Sequence, residues 1–257
     1  MTKENNPLIL ITNDDGIHAS GLIQLIETVR PLGEIVVVAP DMPRSGLSSA
    51  ITHYNPIRTS LIKKEENLTM YSCTGTPVDC VKIGLDKLLN RRPDLLLSGI
   101  NHGSNAAICI FYSGTIGAVF EGCIVGIPSL GISLTDHSPH ADFTQAAKYG
   151  KMITEKVLAT GLPAGICLNL NVPDIQDIKG LKVCSQTKGY WTKEYAEMKD
   201  PVGRTVYWLT GEFVNQEPEN KYCDEWALDH GYAALVPLSI DMTSYPFLDK
   251  IKSWENM

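Results

Sequence analysis

The chain alternates between short apolar runs and longer stretches in which apolar residues recur at the spacing of one helix face. The apolar runs are typical of strands buried on both faces of a parallel sheet, and they lie at residues 8–12, 35–39, 94–98, 129–134 and 166–170. The periodic stretches predict helices at residues 22–29, 77–89, 115–123 and 143–158. Ser20 is the expected N-cap of the first helix. This repeated alternation predicts an α/β protein in which helices cover a mostly parallel sheet.

The composition changes near residue 180. All four tryptophans and six of the ten tyrosines lie beyond this point, and Thr205–Leu209 has the pattern of a strand outside any βαβ unit. We therefore divide the chain into a core of residues 1–180 and a β-rich C-terminal extension of residues 181–257. Two interpretations of the aromatic residues stay open. They either form an exposed hairpin that pairs with a partner chain, or they cover the edge of the main sheet.

Charge and hydropathy exclude several classes of protein. The chain has 22 Lys and Arg against 29 Asp and Glu, a net charge of −7, which argues against DNA binding and against a basic membrane-binding patch. The longest apolar run, residues 106–112, is too short to span a membrane. The polar first seven residues predict no signal peptide. Seven cysteines without a CxxC pair indicate reduced thiols in the cytoplasm, not zinc sites or disulfides.

Four polar, glycine-containing loops follow the predicted strands or precede a predicted helix. They are residues 13–16, 40–46, 98–105 and 112–115. In open parallel sheets, ligands bind beyond the carboxyl ends of the strands, so we expect these loops to converge at one edge. GxxxxGK[ST], GxGxxG after the first strand and GxSxG are all absent from the sequence, which disfavours nucleotide P-loops, dinucleotide binding and serine hydrolases.

The adjacent carboxylates of Asp14 and Asp15 are the most informative feature of these loops. At the end of a buried strand they repel each other and lose hydration, and a bound dication relieves both effects. Carboxylate, hydroxyl and amide oxygens suit Mg²⁺ or Mn²⁺, and Ser45 and Asn101 are candidates to complete the shell. Two alternatives stay open. The pair is only a turn before a helix, or it belongs to a fold of the response-regulator type.

The segment Ser113-Gly114-Thr115 at a predicted helix start is suited to bind an anion, through backbone N–H groups, hydroxyls and the helix dipole. The alternative is a plain N-cap. We add Asn13, Gly46 and Asn105 to this phosphate- and substrate-binding set. His18 and His102 neighbour the predicted site and either orient water, act as an acid or are simply solvated.

Residues 11–21, ITNDDGIHASG, resemble the N-terminal signature of the SurE (survival protein E) family of metal-dependent nucleotidases. The resemblance continues in the same order through APDMPRSG (39–46), GTPVDC (75–80), SGINHGSN (98–105), YSGT (112–115), EG (121–122), LNLNVP (168–173) and the segment 229–237. Together these motifs cover most of the chain and are specific, although no single one of them is.

The resemblance implies a Rossmann-like, three-layer αβα core and a C-terminal hairpin used to form a homodimer or homotetramer. It implies hydrolysis of nucleoside 5′-monophosphates, and of some 3′-monophosphates, in the cytoplasm. The family's ligands to one Mg²⁺ or Mn²⁺ per subunit carry over onto Asp14, Asp15, Ser45 and Asn101. The family's phosphate contacts carry over onto Asn105, Ser113, Gly114 and Thr115.

One segment departs from the family pattern. Many members have a glycine and acidic residues where this chain has the apolar run 106–111, which puts the shape of this loop in question. The nucleophile is also open, because Asp14 can serve as a base or attack phosphorus itself. A regulator that binds an anion without turnover stays a competing hypothesis. A phospho-acceptor receiver usually has a lysine in its site, but Lys82 and Lys87 lie in a predicted helix.

Overall fold

The computed structural model describes residues 6–256. The prediction about a signal peptide rests partly on residues 1–5, which lie outside the described residues, as does Met257. Within the described part, no helix combines the length and the apolar character needed to cross a bilayer.

Thirteen strands and six α-helices are described. The strands are β1 (Leu8–Thr12), β2 (Glu34–Pro40), β3 (Thr59–Glu65), β4 (Leu68–Cys73), β5 (Leu95–His102), β6 (Ser129–Leu134), β7 (Ile166–Val172), β8 (Leu181–Val183), β9 (Gly189–Thr192), β10 (Tyr195–Lys199), β11 (Thr205–Leu209), β12 (Glu212–Asn215) and β13 (Ala233–Ser239). The helices are α1 (Ser20–Val29), α2 (Pro77–Ile83), α3 (Gly114–Ile124), α4 (Thr144–Thr160), α5 (Asp224–Asp229) and α6 (Tyr245–Ile251). A 3₁₀ helix at Ala107–Phe111 precedes α3.

Nine strands form one central sheet in the order β3-β4-β2-β1-β5-β6-β7-β13-β8. The pairs from β4 to β7 are parallel, whereas β3 and β13 run antiparallel to β4 and β7. All five predicted strands of the core are present. The prediction of a mostly parallel α/β sheet is therefore confirmed.

Successive residues of β1 divide the core into two layers. Ile9 and Ile11 pack with residues of α1 and α4 on one face, and Leu8 and Leu10 pack with residues of α2 and α3 on the other. Helices thus cover both faces of β1, which explains why the strand is apolar along its whole length. The arrangement is a three-layer αβα sandwich, and it exposes the carboxyl ends of the central strands at one edge.

Two parts of the sheet were not predicted from apolar runs, although the resemblance of residues 229–237 to the family's C-terminal strand region agrees with β13. The β3–β4 hairpin lies at one edge, where β3 is almost wholly exposed and so has no apolar run to reveal it. At the other edge, β13 and β8 come from beyond residue 180 and complete the central sheet. Part of the C-terminal extension therefore covers the sheet edge. Whether the extension is a domain of its own, divided at residue 180, stays a prediction.

The rest of the extension includes a long antiparallel ribbon. Strands β9 and β12 form its base, and β10 and β11 continue it outward, with a break at Lys193 and Gly211, which have φ values of 52° and 139°. The strand predicted at Thr205–Leu209 is confirmed as β11. Its exposed side chains include Tyr207, Trp208 and Leu209.

The expected N-cap of the first helix is wrong by one residue. Ala19 occupies the cap position of α1 and makes no side-chain hydrogen bond, whereas Ser20 is the first helical residue. Helix α2 shows a complete capping box instead. The Thr76 hydroxyl accepts from the N–H of Asp79, and the Asp79 carboxylate accepts from the N–H of Thr76.

Replacing these two residues by alanine distinguishes the two helix starts. Thr76→Ala is expected to lower the free energy of unfolding by about 1 kcal/mol or more, because it removes a cap that is used. Ser20→Ala is expected to change it by less than about 0.5 kcal/mol, because no cap is lost. Urea unfolding followed by circular dichroism measures both values, and equal losses would contradict the assignment of Ala19 as the cap.

Candidate active site

The turn after β1 is closed by the side chain of Asn13. Its amide nitrogen donates to the carbonyl of Gly16 at 3.0 Å, and its amide oxygen accepts from the N–H of Gly16 at 3.2 Å. Gly16 adopts a φ of 102°, which a side chain would strain. The structure thus uses Asn13 to shape the turn that presents Asp14 and Asp15. Its place in the substrate-binding set stays a prediction.

Asp14 is buried against the start of α3. Its side chain is only 3 % exposed, and its Oδ1 accepts from the Thr115 hydroxyl at 2.5 Å. Gly114 has no room for a side chain, since an added Cβ would lie 2.9 Å from the Cβ of Asp14. Burial, reinforced by the charge of Asp15, raises the pKa of Asp14 from 3.8 to about 6, although the hydrogen bonds from Thr115 oppose the shift.

Asp15 is half-buried beside the end of β5. Its Oδ2 accepts from the backbone N–H of His102 at 3.3 Å, and burial raises the pKa of its carboxyl above the ordinary value. Among residues 6–256, no Lys, Arg or His forms an ion pair with Asp14 or Asp15. Neither acid is therefore held in an ion pair, although the nearby His102 partly opposes the rise in the pKa of Asp15.

The loop after β2 is fastened directly to the aspartate turn. The backbone N–H of Arg44 donates to the carbonyl of Asp14 at 2.7 Å, and the Arg44 guanidinium donates to the carbonyl of Thr74 at 3.0 Å. Ser45, the next residue, is exposed, and Gly46 has a φ of 74°. This contact brings the loop that carries both residues next to Asp14, as the topology predicted.

Asn101 contributes an amide oxygen at the end of β5. Its amide nitrogen donates to the carbonyls of His102 and Gly103, at 3.1 and 2.9 Å, so the network fixes which end is nitrogen. Its Oδ1 accepts no hydrogen bond from any described residue. The side chain is buried, and Oδ1 is the atom that would coordinate a cation.

The two candidate histidines differ in their surroundings. The His102 ring packs edge-on against Phe143, with 4.8 Å between ring centroids, while its backbone contacts Asp15. His18 is exposed and lines a cavity with Ile62 and Lys63 of β3. Of the two histidines, only His102 contacts the aspartate pair, and it does so through its backbone N–H and not through its ring.

Asn105 is held by a polar network that the sequence did not reveal. Its N–H donates to Asn171 Oδ1 at 2.8 Å, its carbonyl accepts from Asn169 Nδ2 at 2.8 Å, and its Nδ2 donates to Ser133 Oγ at 2.9 Å. All four side chains are buried. The available signal was the pair of asparagines inside the buried strand β7, because buried amides need partners.

Ser113 is the N-cap of α3. Its Oγ accepts from the N–H of Ile116 at 3.1 Å, so the plain cap that we had left open is present. The cap does not remove the anion-binding potential of the helix start. Helix α3 begins at Gly114, beside Asp14, so its dipole is directed at the edge where the acids lie.

The donor set fits a hard dication. Within the described residues, no three His, Cys, Asp or Glu side chains form a metal site, so a metal at Asp14 and Asp15 needs neutral oxygens as well. Asn101 Oδ1 supplies one such atom, and Ser45 lies on the loop bonded to Asp14. Carboxylate, amide and hydroxyl oxygens are the ligands that Mg²⁺ and Mn²⁺ prefer.

Comparison with known proteins agrees with this geometry. The family model "Survival protein SurE" matches residues 9–193, which contain all of the predicted site residues. The chain belongs to the SurE family. A relative named 5′-nucleotidase SurE from Bacteroides fragilis is 51 % identical over 253 residues, covering 98 % of this chain and 99 % of that protein.

Two further SurE proteins extend this similarity. A 5′-nucleotidase SurE from Phocaeicola vulgatus is 51 % identical over 252 residues and covers 98 % of both chains. The crystal structure of SurE protein from Aquifex aeolicus superposes with a TM-score of 0.83 at 36 % identity, covering 97 % of this chain and all of that chain. The resemblance inferred from the motifs is confirmed, and the shared fold extends over almost the whole chain.

The raised pKa of Asp14 predicts that its ionisation destabilises the metal-free protein. Because the folded pKa lies above the unfolded value, the contribution of Asp14 to stability is most favourable below pH 3.8 and is lost as the pH rises through about 6. The whole shift corresponds to about 3 kcal/mol. In the presence of chelator, Asp14→Asn is therefore expected to be more stable than the wild type at pH 7.5, by up to that amount, and the difference is expected to shrink towards pH 4.

Urea titrations at several pH values in EDTA measure this difference. Asp177→Asn is the control, because Asp177 is exposed and should give no such trend. An Asp14→Asn variant less stable than the wild type at every pH would contradict the proposed repulsion.

Proposed function

We propose that this chain is a metal-dependent 5′-nucleotidase, which hydrolyses nucleoside 5′-monophosphates, and also 3′-monophosphates, to nucleoside and phosphate with one Mg²⁺ or Mn²⁺ per subunit. The observation that carries the proposal is the adjacent pair of Asp14, which is buried, and Asp15, which is half-buried, beside the start of α3 and without an ion-pair partner among the described residues. The names of the relatives from Bacteroides fragilis and Phocaeicola vulgatus support the same activity.

Asp14, Asp15, Ser45 and Asn101 would hold the metal. A bound dication would polarise a phosphoryl oxygen and lower the pKa of a coordinated water. The protein groups then have separate tasks. The start of α3, residues 113–115, would bind the transferred phosphoryl group and stabilise its equatorial oxygens, while the Thr115 hydroxyl, which donates to Asp14 Oδ1, would hold that carboxylate in place. The network of Ser133, Asn169 and Asn171 fixes Asn105 so that its position does not depend on substrate.

Asp14 is suited to accept a proton or to attack phosphorus, and its contacts constrain both roles. Its Oδ1 is bonded to the Thr115 hydroxyl, so Oδ2 is the oxygen left for either task. Gly114 leaves the space that this carboxylate occupies, because an added Cβ there would lie 3.1 Å from Oδ2. A direct attack would leave a trappable phosphoenzyme, whereas base catalysis would not.

Removing either carboxylate is expected to reduce phosphate release by more than about 100-fold, since each variant takes a charged ligand from the metal. Asp14→Asn and Asp15→Asn are compared with wild type on nucleoside 5′- and 3′-monophosphates and short polyphosphates, with Mg²⁺, with Mn²⁺ and with EDTA. Asn101→Ala is expected to lose less, because its oxygen is neutral. Asp177→Asn is the control and should retain wild-type rates.

Each outcome of this assay is decisive. Phosphate release that needs metal and both aspartates supports the enzyme. A wild type that binds nucleotide but releases no phosphate would instead identify a regulator. Near-normal turnover by Asp14→Asn or Asp15→Asn with intact metal binding would refute the ligand assignment.

A homodimer or homotetramer formed through the C-terminal ribbon is also part of the proposal, as is a cytoplasmic location. On the β10–β11 segment of the ribbon, Trp208 and Leu209 are 63 % and 72 % exposed, and Tyr195 and Tyr207 are exposed beside them. Large apolar side chains on a two-stranded ribbon are a common means of association between chains.

Charged residues on the β10–β11 segment of the ribbon are expected to separate the subunits. The double variant Trp208→Glu and Leu209→Glu should elute as a smaller species than wild type in gel filtration with light scattering, with an unchanged circular dichroism spectrum. Tyr54→Glu, which changes a tyrosine that is 93 % exposed outside the ribbon, is the control. A double variant of unchanged mass would exclude the ribbon as the interface.

A further inference from the structure

A strained residue lies between Asn105 and the start of α3. Ala107 has a φ of 50°, a left-handed conformation found at only two other non-glycine residues of the described chain. For a residue with a side chain this conformation is unfavourable by about 1 kcal/mol. Because the conformation is unfavourable, a specific interaction must stabilise it. Ala107 also belongs to the segment 106–111 that departs from the family pattern.

Both backbone polar atoms of Ala107 are bonded to the C-terminal extension. The N–H donates to Asp224 Oδ2 at 2.9 Å, and the carbonyl accepts from Gln186 Nε2 at 3.0 Å. Asp224 and Gln186 are 117 and 79 positions away along the chain. Asp224 and Gln186, which we call the clamp, thus fix the residue that begins the 3₁₀ helix before α3.

Asp224 is itself rigidly held. It is 1 % exposed, and its Oδ1 accepts from the N–H and hydroxyl of Thr187, at 2.9 and 2.6 Å, and from the N–H of Glu225 at 2.9 Å. No described Lys, Arg or His pairs with it. Every hydrogen-bonded partner of the carboxylate is a donor, so an amide in its place would turn an NH₂ group towards one of them.

The loop between the two phosphate-binding elements is fixed on both sides of Ala107. Upstream, Asn105 is bonded to Asn169 and Asn171 of β7. Downstream, the carbonyl of Tyr112 accepts from the N–H of Ser48. The dihedral angles of Ala107 therefore set the path from Asn105 to the start of α3.

We propose that Asp224 and Gln186 are positioning residues for phosphate transfer, which hold Ala107 in its left-handed conformation and so set the spacing between Asn105 and Ser113–Thr115. This inference rests on the proposed nucleotidase function. Neither residue belongs to the proposed metal-binding or phosphate-binding set. They act through the loop, and they make the C-terminal extension a part of the phosphate site.

Gln186→Ala tests the proposal with little risk to folding, since Gln186 is only half-buried and neutral. It is expected to lower kcat by about 10-fold, with a smaller change in KM, as loss of a supporting hydrogen bond around a catalytic group does. Asp224→Asn is expected to lower kcat further. Gln216→Ala is the matched control, because this glutamine of the same extension makes no side-chain hydrogen bond with a described residue.

Rescue by glycine separates positioning from general stability. Glycine adopts a left-handed φ without strain, so Ala107→Gly should keep the loop in place when a clamp is lost. The drop in kcat caused by Gln186→Ala is therefore expected to be at least halved in the Ala107→Gly background. Loss of melting temperature without loss of kcat, or a drop in kcat that glycine leaves unchanged, would overturn the proposal.

Amide hydrogen exchange on the metal-free protein provides a readout that needs no activity. Faster exchange in residues 105–115 of Gln186→Ala, and not of Gln216→Ala, is the expected result. Unchanged exchange in both clamp variants would overturn the positioning role. If the wild type releases no phosphate, the nucleotidase proposal fails by itself, and the exchange comparison still decides whether the clamp exists.

Discussion

The structure depends on two adjacent carboxylates at the end of its first strand that form no ion pair with any Lys, Arg or His of residues 6–256. Asp14 is buried in a position where its ionised form is unfavourable, and the start of α3 and the loop after β2 are both fastened to it. In an arrangement of this kind, a bound cation would compensate the unfavourable burial of the two negative charges. The surrounding loops are then the elements that the cation and an anionic ligand would share.

The fold explains how these elements reach one another. The central strands run parallel and end at one edge, so turns far apart in sequence meet there without a long connection. Asn13, Asn101 and Asn105 have structural amide contacts at that edge, each fixing a different loop. Rigid polar contacts of this type keep a site in order before any ligand arrives.

Much of this architecture was predictable because apolar runs and helical periodicity are strong, local signals. The five core strands and the stripe of Leu22 and Leu25 on α1 follow from these signals, whereas the family was inferred from the order of its sequence motifs. What escaped prediction is non-local. β3 has no apolar run, β13 is recognisable as a central strand only through its pairing with β7, and the choice between Ala19 and Ser20 as cap depends on backbone geometry. The hydrogen bond between Asp224 and Ala107 joins residues more than a hundred positions apart, and hydrophobic periodicity cannot predict such a contact.

That clamp also bears on how the protein is made. The acidic turn leaves the ribosome among the first residues, whereas Asp224 is synthesised near the end, just before the strand β13 that pairs with β7. A nascent chain folds from its N-terminus as it emerges. The turn that sets Ala107 can therefore close only after Asp224 has been translated, so a growing chain carries the acid pair before the loop from Asn105 to α3 can be fixed.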